Sequence, residues 1–236
     1  MSYELHIEPS RGWWHLPVRD LLHYRDLLFL LVRRDFVAQY KQTILGPLWF
    51  IIQPLLTTIV FTVIFSKVAK IPTDGLPPLL FYLCGLMVWN YFAGCFNTTS
   101  GTFIANAGIF GKVYFPRLIV PLAAVLSKLV AFGIQLATFI AFLLYYLLFT
   151  DYCSLITLSP WLLALPLLLL HAAALALGVG LWITALTTKY RDFTHLSAFL
   201  TQLWMYATPV VYPLSQVPER WQWLAAARSR ALCVRC

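Results

Sequence analysis

The chain has 236 residues, of which 61% are hydrophobic and 11% charged, with a mean hydropathy of +0.77 and a formal net charge of +8. A water-soluble domain carries about 45–50% apolar and ~25% charged residues, so a soluble core of this size is excluded and a bilayer must solvate much of the apolar surface. The basic residues gather at the ends of apolar runs, which is a topology signal and no nucleic-acid footprint.

Residues 1–17 read as a charged tail, with no short apolar stretch leading to a small-residue cleavage site. Residues 18–42 read as one amphipathic interface helix. Leu21, Leu28, Val32, Phe36 and Tyr40 share a face, Arg19, Asp20, His23, Arg34 and Lys41 lie largely away from it, and Leu27, Leu30 and Leu31 blur the pattern. This basic helix feeds directly into a first span at 44–66, whose start is broken by Gly46, Pro47 and Pro54.

Further spans are expected at 77–96, 129–149, 161–186 and 196–214. The third is begun after Lys128, whose long stem can snorkel to the interface. Between spans two and three, Pro116 and Pro121 are expected to stop any long helix, leaving a short surface helix over 103–110. Phe110, Val113, Tyr114 and Phe115 would then be exposed unless something docks on them.

Eleven basic residues fall on the side that holds the N-terminus, the 97–128 segment and the turn at 187–193; the other side carries Lys67 and Lys70. The N-terminus is therefore expected in the cytoplasm. The fold expected is all-α: a polytopic helical membrane protein with five transmembrane helices over 43–214 and an N-terminal interface helix.

The chain contains no GxxxxGK[ST] loop, so it has no such means of holding ATP itself. The spans contain no Asp or Glu, and His171 is the one candidate proton relay; a neutral His171 packed against a neighbouring helix is expected. Energy is thus expected from a partner subunit. Cys84, Cys95 and Cys153 suggest no disulfide framework, and Cys233 with Cys236 make an isolated CxxC; no metal site is expected.

Trp49, Phe50, Phe61 and Phe65 in span one, with Trp204, Tyr206 and Tyr212 in span five, offer ring faces on which a sugar polymer can slide. Trp161, Trp221 and Trp223 read as interfacial belt residues. Gly178 and Gly180 allow close helix approach in span four.

The motifs LGPLW at 45–49 with Tyr40 and Gln53-Pro54, GKVYFPR at 111–117 with Pro121, KYRDF at 189–193 and TPVVYP at 208–213 occur in an order that resembles the permease subunits of type-2 ABC exporters. The resemblance covers roughly 20–224 and points to the branch exporting O-antigen, capsular polysaccharide and teichoic acid. It implies a homodimer in the bacterial inner membrane, with each copy binding a cytoplasmic ATPase subunit. It implies ATPase coupling through Arg33, Arg34 and Asp35; through Asn106, Gly111, Lys112, Phe115, Pro116 and Arg117 within the 98–117 segment; and through Tyr190, Arg191 and Asp192. It also implies a channel lined chiefly by spans one and five, through which a lipid-linked glycan passes. No cofactor is expected on this chain; ATP and Mg²⁺ belong to the partner.

Two other readings compete: a permease of this family for drugs or small lipids, and a membrane-embedded sugar transferase built on Asp192 and His195. The family has six spans and this chain supplies five. Residues 215–236 are expected to hold an external segment and an atypical tail, AAARSRALCVRC, whose three arginines preclude a sixth span; a truncated or frame-shifted end is expected.

Overall fold

The structure, a computed structural model, describes residues 21, 23–41, 43–73, 75–112, 115–149, 165–190, 192–208 and 210. Every regular element among them is helical. Helix α1 runs Arg25–Tyr40. The first span opens with a 3-10 turn, Gly46–Leu48, continues as α2, Trp49–Phe61, and ends as a π-helix, Thr62–Val68. Helix α3 is Pro78–Ser100, followed by two single turns, α4 (Thr102–Ala105) and α5 (Ala107–Phe110). Helices α6 (Ile119–Phe149), α7 (Leu165–Lys189) and α8 (Phe193–Ala207) complete the described chain.

Among the described residues, four helices are long and apolar enough to cross a membrane: Gly46–Val68, Pro78–Ser100, Ile119–Phe149 and Leu165–Lys189. The chain is an all-α, multi-pass membrane protein. The fifth expected span corresponds to α8, which has 15 described residues. That is ~22 Å of helix, short of the ~30 Å hydrocarbon layer. Residues 211–236, with Tyr212, Trp221, Trp223, Cys233, Cys236 and the tail, lie outside the described residues, as do 1–20 and 150–164 with Cys153 and Trp161.

Helix α3 is the hub. Tyr82, Leu86, Trp89, Phe92, Cys95 and Phe96 are buried along it, so it has no lipid-facing stripe of any width. Helix α7 lies against it through Ala172, Ala176, Gly180 and Ile183. Small side chains let the two backbones approach. The approach is closest at Gly180, where an added Cβ would sit 2.8 Å from Cβ and Cγ2 of Thr99. Gly178, which the sequence pairs with it, faces open space instead.

Pro54 lies inside the α2 segment of the first span. Proline brings no N–H, so the carbonyl four residues back loses its helical donor. Threonine hydroxyls add bonds along the same stretch: Thr57 donates to Gln53 O at 2.9 Å, Thr58 to Pro54 O at 2.8 Å and Thr62 to Thr58 O at 2.8 Å.

Four sequence expectations are corrected. The third span does not begin after Lys128; α6 starts at Ile119 and passes through Lys128 without a break. Pro121 falls in its first turn, where backbone N–H groups have no intrahelical acceptor, so it does not stop the helix. The short surface helix over 103–110 is two turns broken at Asn106, whose φ of −110° and ψ of 15° are not helical. His171 does not pack on a neighbouring helix of the chain but stands exposed, one residue off the Ala172/Ala176/Gly180 stripe.

Candidate functional site

The features that bear on function lie at the end of the bundle holding Arg33, Arg34, Lys112 and Arg117, here called the basic end. Helix α1 docks there along the start of α6. Leu31 is 5% exposed and forms one apolar cluster with Phe115 (7%), Ile119 (0%), Val120 and Ala123. Leu21, Tyr24, Leu27, Leu28 and Val32 pack at its margin. Leu31, which blurred the amphipathic pattern, is the centre of the docking face, while Phe29 and Leu30 are exposed.

The docking face also accounts for the aromatic residues after α5. Phe110 sits between Phe103 and Phe115, with ring centroids 5.6 and 5.7 Å away, and packs on the same cluster. Phe110 and Phe115 are thus covered from within the chain, correcting the expectation that they would stand exposed without a docked partner. Val113 and Tyr114 lie outside the described residues.

A polar bridge completes the contact. Arg34 Nε and Nη2 donate to Asp35 Oδ1 at 2.9 and 2.8 Å, and Nη2 also donates to Asn106 Oδ1 at 3.3 Å. Asn106 Nδ2 in turn donates to Thr102 O at 3.0 Å. Arg34, Asp35 and Asn106, separate in sequence, therefore form one cluster. The guanidinium of α1 is tied to the residue at which the α4–α5 segment breaks.

A seam of hydroxyls continues this connection inward. Thr187 Oγ1 of α7 donates to Ser100 O at 3.0 Å, Ser100 Oγ lies 3.4 Å from Ser197 Oγ of α8, and Thr201 Oγ1 donates to Asn97 Oδ1 at 3.1 Å. Ser100, Thr187 and Ser197 are all buried. Buried hydroxyls without partners are costly, so mutual pairing fixes how the ends of α3, α7 and α8 meet. The sequence carries a signal for it in Asn97-Thr-Thr-Ser and Thr187-Thr188, hydroxyl runs at the ends of two spans.

The other expected coupling residues are spread over the basic end. Arg33, Gly111, Lys112 and Arg117 are exposed and Pro116 is half-buried. Tyr190 is exposed, with Lys189 Nζ 5.3 Å from its ring centroid; Asp192 is exposed and its carbonyl accepts from the N–H groups of His195 and Leu196. Arg191 lies outside the described residues. No side-chain bond joins Asp192 to His195, and no three metal-ligating side chains converge among the described residues.

The aromatic residues of the two expected channel spans divide. Phe50 is buried and stacks on Phe36 of α1 at 5.9 Å, while Phe61 and Phe65 pack on the α3 core. Trp204 meets Phe92 edge-on at 5.5 Å. Trp49 and Tyr206 face outward.

An apolar helical bundle with a helix docked along one end and a polar bridge to a broken surface segment describes a multi-pass membrane protein with a built cytoplasm- or exterior-facing end. The chain belongs to the ABC-2 type transporter family, whose description matches residues 26–227. Its relatives include the O-antigen export system permease protein RfbA of Klebsiella pneumoniae, 29% identical over 199 residues, which are 84% of this chain and 73% of the relative. A second RfbA from Klebsiella pneumoniae is 28% identical over 199 residues. The RfbA of Myxococcus xanthus is 27% identical over 206 residues, covering 86% of this chain and 74% of the relative.

Proposed function

We propose that the chain is the permease of an exporter that carries a lipid-linked polysaccharide, of the O-antigen, capsule or teichoic-acid kind, across the bacterial inner membrane. The observation that carries the reading is similarity to O-antigen export permeases over more than four-fifths of the chain. Topology by positive charge puts the basic end and the N-terminus in the cytoplasm. A separate ATPase subunit binds there, holding the ATP and Mg²⁺ that this chain does not. The Arg34–Asn106 bridge and the 98–117 segment receive its motion. Two copies form the channel. The dimeric reading draws support from the spans assigned to that channel, which bury little within one chain: α2 only Phe50 and Thr58, and α8 only Ser197 and Thr201.

Affinity capture of the full chain from its own membrane is expected to bring down an ATP-binding-cassette subunit. Deleting the gene is expected to remove surface polysaccharide. Normal surface polysaccharide in the deletion strain would sink the reading. Within the exporter, Arg34→Lys keeps the charge but loses the fork that spans Asp35 and Asn106. We expect export to fall severalfold with the chain still inserted and folded, and Asn106→Ala to fall alongside it. Unchanged export in both would remove the bridge from the coupling path.

A further inference from the structure

Lys128 is the one lysine of the described residues that lies deep within a membrane-crossing helix and away from its ends. It is nine residues into α6 and Asn90 is ten residues from the end of α3; at the helical rise both are about 14–15 Å in from the basic end. The stem of Lys128 lies on α3 at Gly94, where an added Cβ would sit 3.4 Å from Lys128 Cδ. Its placement therefore depends on the glycine as well as on its own reach.

Lys128 lines two clefts. One, of ≈ 270 Å³, lies between α1, α2, α3 and α6 and presents Gln39, Gln53, Asn90 and Gln135 beside the lysine, with Trp49, Tyr91 and Phe132 among its apolar walls. The other, of ≈ 390 Å³, runs toward the basic end past Gln39 and Ser127 to Arg34, Asp35 and Asn106. No carboxylate lines the first cleft, and the one in the second, Asp35, is paired with Arg34.

A cation and four amides around a cleft at this depth are costly against hydrocarbon, so the contents must be polar. The cation requires an anion, and amide N–H groups suit an anion with several acceptor oxygens. An anion that enters the cleft from the bilayer side must bring its own hydrocarbon. In bilayers, phosphate head groups meet that description.

We propose that this cleft seats the phosphate head group of a lipid in the leaflet at the basic end, with Lys128 as its counter-charge and Asn90 and Gln135 as neutral contacts. The proposal does not depend on what polymer is exported, and its test uses binding alone. The full chain in phosphatidylcholine nanodiscs is offered a polyprenyl phosphate, phosphatidylglycerol or inorganic phosphate, and native mass spectrometry counts what is retained. Wild type should retain at least one of the two lipids. Lys128→Gln should lose it at least tenfold, Lys128→Arg should keep it, and Lys67→Gln, at the far end of the first span, should match wild type. Loss confined to polyprenyl phosphate supports a seat for a glycan carrier, and loss of both lipids supports a seat for bulk anionic lipid. Undiminished retention by Lys128→Gln, retention of neither lipid by wild type, or equal retention of inorganic phosphate alone overturns the proposal. Gel filtration and melting check folding, and Asn90→Leu, on the facing wall, gives a second reading if Lys128→Gln fails to fold.

Discussion

Leu31→Glu is expected to free α1 from the bundle and abolish transport while the spans stay assembled. Leu31 fills the centre of the seam with Phe115 and Ile119. Losing a buried leucine costs about 2–5 kcal/mol, and 2 kcal/mol alone shifts a docking equilibrium about thirtyfold. The new carboxyl adds to this, since it must either ionise in an apolar seam or take up a proton. Arg34 and Asn106 would then separate, because their 3.3 Å contact exists only while α1 is docked. Amide exchange over Arg25–Tyr40 should rise sharply, with that of Pro78–Ser100 unchanged. Leu31→Met, close in volume, should behave as wild type. Retained protection of α1 in Leu31→Glu would show that the seam does not hold it.

The second large effect is at Gly180. Gly180→Leu puts a branched side chain where a single Cβ already falls 2.8 Å from Thr99. Thr99 is fully buried and its Cβ is fixed to the α3 backbone, so the helices must part. Overpacking of this kind costs about 1–3 kcal/mol and more when backbone has to move. The hydroxyl seam begins at Ser100, next to Thr99, and at Thr187, two turns beyond Gly180, so parting also strains Thr187 against Ser100. The purified variant should melt several degrees below wild type, with Gly180→Ala between them. Gly178→Leu is the control, since that position faces open space and should leave the melting point unmoved. Equal melting of Gly180→Leu and wild type would refute the close approach.

The sequence made the spans legible because length and hydropathy act locally. The irregular start at Gly46-Pro47 was equally plain, whereas the helix runs on through Pro54, where a break was expected. Pro121 and Lys128 misled for a shared reason. Each is unfavourable in the middle of a lipid-facing helix, yet one falls in a first turn and the other faces a polar cleft. Leu31, Phe110 and Phe115 could not be read at all from periodicity. Their burial depends on α1 meeting the start of α6, a contact between segments some ninety residues apart, and no local pattern encodes it. The polar cluster was half legible. Arg34, Asp35 and Asn106 were named from their resemblance to family motifs, but their bonding to one another is a product of the fold.

The reach of α6 has a mechanical consequence. Its 31 residues make a rod ~46 Å long, and its buried residues all fall between Ile119 and Phe132. Beyond Phe132 no residue of it is fully buried, and Leu136 and Phe139 pack only partly on the core, so that arm is held more loosely than its base. The contact of Lys128 with Gly94 divides the rod into arms of ~14 and ~32 Å. A tilt of α6 imposed at Ile119 by α1 therefore carries Phe149, at the far end of the longer and looser arm, further than it carries the packed base.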